Sequence, residues 1–207
     1  MTAVMQEHPP RRLDARTASL ADAPDETLLV LFGLGDRDAA RILTDRLTPL
    51  CFRVALRMLC GDRAEAEDVA QEAMLRLWRQ VPDWRQGEAR VSTWLYRVTM
   101  NLATDRLRAR RSTTLDEIPE PEDGRPSVVA GLIEADRMAA LDRALTALPE
   151  RQRQAVVLRH VEGLSNPEIA SILGVGVEAV ESLTSRGKRT LAAILSGRKE
   201  ELGYVDE

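Results

Sequence analysis

Between Arg97 and Arg111 the chain carries five arginines and a single acid, Asp105. Arg97, Asn101, Thr104, Arg108 and Arg111 are spaced alternately by four and three residues, so on a helix they share one face. Guanidinium groups pair with phosphate through a planar fork of donors, and an amide set among them is free to meet a base edge. The chemistry open to this face is non-covalent recognition of a phosphodiester chain. An arginine run at the end of a helix also complements the helix dipole. The length of the run and its interleaved polar donors favour nucleic acid.

A second constellation lies upstream, in DRAEAEDVAQEAMLRLWRQ (62–80). Asp62 is a good N-cap, and Glu65 three residues later makes a capping-box-like start. Ala66, Val69, Ala70, Ala73, Leu77 and Val81 recur at helical spacing and predict a buried stripe. Opposite them stand Glu65, Asp68, Glu72 and Leu75. Three carboxylates can serve solubility alone, but an apolar residue set among exposed acids has the pattern of a docking contact.

The third constellation closes the chain. Ser165 and Glu168 form a capping box, with Pro167 in the first turn, and open a short helix that stops at Gly174. The turn GVG leads into a longer helix over about Val177–Ser196. A short helix, a glycine turn and a longer helix make a helix-turn-helix. Ile169, Ala170, Leu173, Val175, Val180 and Leu183 are its packing residues. Glu178, Glu181, Ser182, Ser185, Arg186, Lys188 and Arg189 are left exposed, a set rich in donors and cations that suits the major groove. Helical hairpins with glycine turns also occur in proteins that never touch DNA. Gly187, inside the long helix, costs about 1 kcal/mol relative to alanine, and a close backbone neighbour is one reason to keep it.

These elements must be positioned by an all-α chain. Of its 207 residues 44% are hydrophobic, 30% charged and only 3% aromatic. Abundant Ala, Leu, Arg and Glu without strand-like alternation points to helices. The net charge of −4 gives no global basic signature; the positive charge is local, in 97–111 and 186–199. Cys51 and Cys60 have no CxxC spacing and are expected to be buried, reduced thiols. His8 and His160 are the only histidines. Neither a metal centre, a cofactor site nor a nucleophile–base pair emerges, so an enzyme is not expected. No run has the length of a signal peptide core or a membrane span, and a cytoplasmic protein is expected.

Residues 1–25 mix charge and proline without periodicity and read as a mobile tail. Helices are predicted around 25–34, 36–47 and 49–60. In the last of these, Arg53 and Arg57 are the strong polar positions, four apart on one face. After the helix that carries the arginines, STTLDEIPEPEDGRPS (112–127) breaks the pattern: Pro119, Pro121, Pro126 and Gly124 preclude a helix, and five of the eight residues 116–123 are acidic. It reads as a linker. The expected layout is therefore two small helical domains, 26–111 and 132–207, joined by an acidic, proline-rich linker over 112–131.

The run EAEDVAQEAMLRLW followed by WLYRVTMNLATDRLRARR resembles region 2 of bacterial sigma factors. LPERQRQAVVLRHVEGLSNPEIASILGVGVEAVESLTSRGKRTL is similar to their region 4, and the compact layout resembles the extracytoplasmic-function (ECF) group. The resemblance implies that Asp68, Gln71 and Glu72 dock on the clamp helices of the polymerase β′ subunit, with Leu75 packed beside them and the β subunit as a further partner. It implies that Asn101 contacts the −10 element, with Arg97, Arg108 and Arg111 on the nearby backbone. The loop 83–90 corresponds to the segment that captures a flipped −10 base, where Trp84 could be either a stacking platform or core. Glu181, Ser182, Ser185 and Arg186 are implied to face −35 bases, and Lys188 and Arg189 the phosphates. Many ECF factors carry a basic residue where Glu181 stands. The linker is implied to thread near the RNA path, and an anti-sigma protein to clamp both domains. The competing reading is a two-domain helix-turn-helix activator with an effector- or partner-binding first domain, which has no need of the Asp68–Leu75 face.

Overall fold

The computed structural model describes residues 20–85, 87, 90–113, 138 and 140–196. Residues 1–19 of the expected tail (1–25), residues 114–131 of the expected linker (112–131) with 132–137 after it, and the C-terminal 197–207 lie outside the described residues. All regular structure among those described is helical, and no described helix is long and apolar enough to cross a membrane.

The first unit is a four-helix assembly. α1 (Asp25–Gly33) buries Leu28 and Leu29. α2 (Arg37–Met58) starts on Asp36, whose carboxylate accepts from the Asp38 and Ala39 amides at 3.0 and 3.2 Å. Two helices were expected here, parted before Pro49, yet α2 runs straight through that proline. Leu43, Leu47, Cys51, Val54 and Met58 lie buried on one stripe spanning the proline. Packing that stripe outweighs the one backbone bond Pro49 cannot donate. α3 (Arg63–Gln80) is capped by Asp62, whose carboxylate accepts from the Glu65 amide at 3.1 Å. The predicted stripe is buried apart from Val81, which is half-buried in a 3-10 turn (Val81–Asp83). α4 (Val91–Thr113) buries Val91, Leu95 and Leu102, while Trp94 and Val98 are half-buried. Cys51 is buried as expected, whereas Cys60 is half-buried just past the end of α2. Burial pushes the Cys51 thiol up to about 11, which keeps it protonated and unreactive at neutral pH.

The second unit begins with α5 (140–146) and α6 (Glu150–Val156), which continues as a π-helical turn over Val157–Val161. α7 (Asn166–Leu173) has the predicted capping box at Ser165 and Glu168 and ends on Gly174 in the left-handed conformation. α8 (Val177–Ser196) follows. Ile169, Ala170, Leu173 and Val180 are buried between the two helices, with Val175 and Leu183 packed at their edge.

Gly187 is where α8 crosses α6. A Cβ built there would lie 2.6 Å from Val156 Cγ2 and 3.3 Å from the Gln152 carbonyl oxygen. Gly187→Ala is therefore expected to lower stability by about 1–2 kcal/mol despite alanine's better helix propensity, because overpacking outweighs that gain. Adding Val156→Ala, which removes the nearest methyl, should recover part of the loss. Urea unfolding of both variants checks this, and a Gly187→Ala protein more stable than the parent contradicts it.

The two units are packed on each other, their apolar side chains forming one continuous core. Polar side chains from both line the seam.

Candidate functional site

Asp68 and Gln71 are exposed on α3, and Leu75 is 42% exposed. Leu75 stands on the rim between two grooves. One runs against α2 and is lined by Phe52, Met74 and Trp78; the other runs against α4 and is lined by Leu102, Asp105 and Arg106. Glu72 accepts from Arg76 Nε at 2.9 Å, and this bond holds its carboxyl below the usual range, so it is ionised at neutral pH. Glu65 leaves the expected acidic face. It is bound by Arg106 and Arg110 of α4, and Arg110 also reaches Asp62, so this acid clamps α3 to α4. Its helical spacing is shared with Asp68 and Glu72, but α4 crosses over the first turn of α3 and covers it.

The arginine-rich face of α4 stays exposed at Arg97, Asn101 and Arg108, yet the second unit lies against it and engages both arginines. The Arg97 guanidinium donates to the Ser171 carbonyl and, at 3.3 Å, to that of Ile172, the last turn of α7. Arg108 meets Glu150 at 3.0 Å. Thr104 is buried and its hydroxyl accepts from the Gln154 amide at 3.1 Å. Asn101 is exposed and borders a small cleft with Arg97, Arg151, Gln154 and Leu173. For Arg111 only the backbone is described. The second unit thus lays helix-end carbonyls and a carboxylate against these cations.

In the loop after α3, Trp84 is half-buried and meets Trp94 edge-on, with ring centroids 6.2 Å apart. Its indole supports the loop in this conformation. Residues 86, 88 and 89 of the loop lie outside the described residues.

On α8, Glu178, Glu181, Ser185, Arg186, Lys188 and Arg189 are exposed and Ser182 is half-buried. The helix thus presents two carboxylates, two hydroxyls and three cations on its open side. Glu181 accepts from the Asn166 side-chain amide at 3.3 Å. His160, on the neighbouring turn, has its pKa lowered by burial first and then by the charges of Lys188 and Arg159.

Sequence reasoning missed the polar seam between the units. Arg153 is 1% exposed and donates to the Met58 carbonyl of α2 at 3.0 Å and the Thr146 carbonyl at 2.9 Å. The Glu162 side chain is 2% exposed and accepts from Arg53 at 2.9 Å and the Tyr96 hydroxyl at 3.0 Å. Burial, with Glu162 beside it, pushes the Tyr96 hydroxyl pKa up, so it remains a donor. Arg57 pairs with Asp142 at 2.8 Å. The only advance signal was Arg53 and Arg57, four apart on an apolar helix. The wide π turn before Glu162 aims it at α2 and α4, and that turn has no sequence mark.

Family comparisons address both units. Sigma-70 region 2 matches residues 43–113, and Sigma-70 region 4 matches residues 138–191. The ECF RNA polymerase sigma factor SigM of Mycobacterium tuberculosis is 34% identical over 171 residues, covering 83% of this chain and 84% of SigM. The chain belongs to the ECF RNA polymerase sigma factors. SigW of Bacillus subtilis is 32% identical, with 76% of this sigma factor and 89% of SigW covered. SigE of Mycolicibacterium smegmatis is 36% identical over 72% of the chain, which spans 59% of SigE's length. CnrH, solved in complex with the cytosolic domain of CnrY, superposes with a TM-score of 0.64 at 25% identity, covering 84% of this sigma factor and 97% of CnrH. RpoE of Bartonella quintana, solved with the anti-sigma factor NepR, shares the fold with a TM-score of 0.57 at 21% identity over 74% of the chain. The sigma factor is an alternative transcription initiation factor, and its surfaces have core polymerase and promoter DNA to meet.

Proposed function

We propose that α3 docks this sigma factor on the β′ clamp helices through Asp68, Gln71, Glu72 and Leu75, that α4 and the loop 83–90 before it engage the −10 element, and that α8 reads the −35 element. The domains we assign are 26–111 for core and −10 binding and 132–207 for −35 binding, with 112–131 between them and 1–25 as a tail. Exposed Leu75 beside the ionised Glu72 carries the docking assignment, because a DNA-binding activator has no use for that surface. Asn101 and Trp84 serve the −10 element, Arg97, Arg108 and Arg111 its backbone. Glu181, Ser182, Ser185 and Arg186 meet −35 bases; Lys188 and Arg189 meet phosphates. The work is binding and melting, without covalent chemistry, in the cytoplasm beside the polymerase, and an anti-sigma protein restrains it.

Elements centred about 25 base pairs apart lie about 85 Å apart at about 3.4 Å per pair. Units in direct contact do not straddle that span, so the seam opens when promoter is bound. Opening takes the α7 carbonyls away from Arg97 and Glu150 away from Arg108, and both arginines then meet the −10 backbone.

Asn101→Ala with Trp84→Ala is expected to slow open-complex formation on duplex promoter by about tenfold or more and to be largely rescued on a template with a pre-opened −10 bubble. Capture of an unstacked base repays the lost stacking of a few kcal/mol, and a bubble removes that requirement. Equal defects on duplex and bubble templates would place the fault in folding or docking.

A further inference from the structure

The open side of α8 carries two acids, Glu178 and Glu181, on a helix that has phosphates to approach. Glu178 lies in the first turn, where the helix dipole favours an acid. Glu181 lies beyond it and has the like charge of Glu178 three residues before it, an unfavourable spacing. No ion pair holds Glu181 among the described residues. Its partner is the Asn166 amide at the start of α7, 3.3 Å away. Asn166 is neutral and contributes one N–H to fix the carboxylate without cancelling its charge.

An ionised carboxylate only accepts hydrogen bonds. In the major groove it is repelled by the O6 and N7 of guanine and the O4 of thymine, and it suits the N4 amino group of cytosine. We propose that Glu181 is a specificity-determining residue that reads a cytosine of the −35 duplex through N4, with Asn166 as its positioning residue. The inference rests on the assignment of α8 to the −35 element. It accounts for an acid at an exposed site with no stabilising role in the helix itself.

The test is transcription by reconstituted holoenzyme, full-length chain on core polymerase, from a promoter library randomised across the −35 element. The parent is expected to favour cytosine over guanine at one position by about 5- to 150-fold, the span of a single good side-chain contact to a base. Glu181→Gln brings that ratio to within about threefold, while preferences at the other positions stand. Asn166→Asp is the informative second variant. It keeps the shape and improves the charge at the helix N-terminus, yet an ionised carboxylate cannot donate to Glu181. It therefore lowers discrimination at the same position, its repulsion of Glu181 offset in part by the helix dipole, and Asn166→Ala, which adds no charge, lowers it as well. If Glu181→Gln retains the cytosine preference while other −35 preferences are intact, the proposal is overturned and the −35 assignment survives. If the Asn166 variants leave discrimination unchanged, the positioning role is overturned. If the parent shows no −35 preference at all, the assignment of α8 fails and the proposal with it.

Discussion

Glu72→Lys combined with Leu75→Ala is expected to weaken binding to core polymerase by about 30-fold or more, with helicity unchanged. Truncating an anchor at the centre of an interface typically costs at least about 2 kcal/mol, and reversing an adjacent rim charge adds to that by slowing association. Both side chains project from α3 with little part in holding it: Leu75 is 42% exposed, and among the described residues Glu72 bonds only Arg76, a surface pair four residues apart whose contribution to the helix is small. The fold should therefore be indifferent to the change. Titration of labelled protein with core enzyme measures the effect. Unchanged affinity would remove this face from the docking assignment.

Glu162→Arg is expected to open the seam between the two units. The side chain is 2% exposed, and its partners, Arg53 and Tyr96, both belong to the first unit. Arg53 is 54% exposed, so the lost ion pair contributes less than a fully buried one; the larger cost is a cation placed in the buried Glu162 position, facing Arg53 and leaving the Tyr96 hydroxyl without its acceptor. The second unit makes no internal use of the carboxylate, so its unfolding should be little changed. Expected results are a larger radius of gyration in solution and tighter binding of single-stranded −10 DNA by the free protein, since Arg97 and Arg108 lose their competitors in α7 and Glu150. A compact variant with parental affinity for single-stranded DNA would show that Glu162 is no part of the closure.

Much of this fold was legible because its signals are local. Asp62, Ser165 with Glu168, and Gly174 each act within one helix end, and the structure has them in those roles. The stripe on α3 and the packing of α7 on α8 follow from 3.6-residue periodicity, which needs no knowledge of what lies opposite. Gly187 could be singled out by propensity, but the Val156 methyl that requires it comes from another helix. Pro49 misled because propensity weighs one residue while burial acts over the whole of α2. The face of Arg97, Thr104 and Arg108 was grouped correctly, but its occupant was invisible: Gln154, Glu150 and the end of α7 arrive from more than 40 residues away. Periodicity says which residues share a face and is silent on what covers it. The same holds for Arg153, one of several polar residues in ERQRQ, and for Glu162: their partners Met58, Arg53 and Tyr96 are long-range.

The most direct test is a distance measured in two states, between one label on the exposed side of α4 and one on the exposed side of α8. In the free sigma factor the units are in contact, and a short separation is expected. In a holoenzyme–promoter complex the separation should approach the span of the two elements, about 85 Å at about 3.4 Å per base pair. A promoter complex that initiates transcription while the labels keep their short separation would contradict the account, because one closed molecule cannot reach both elements.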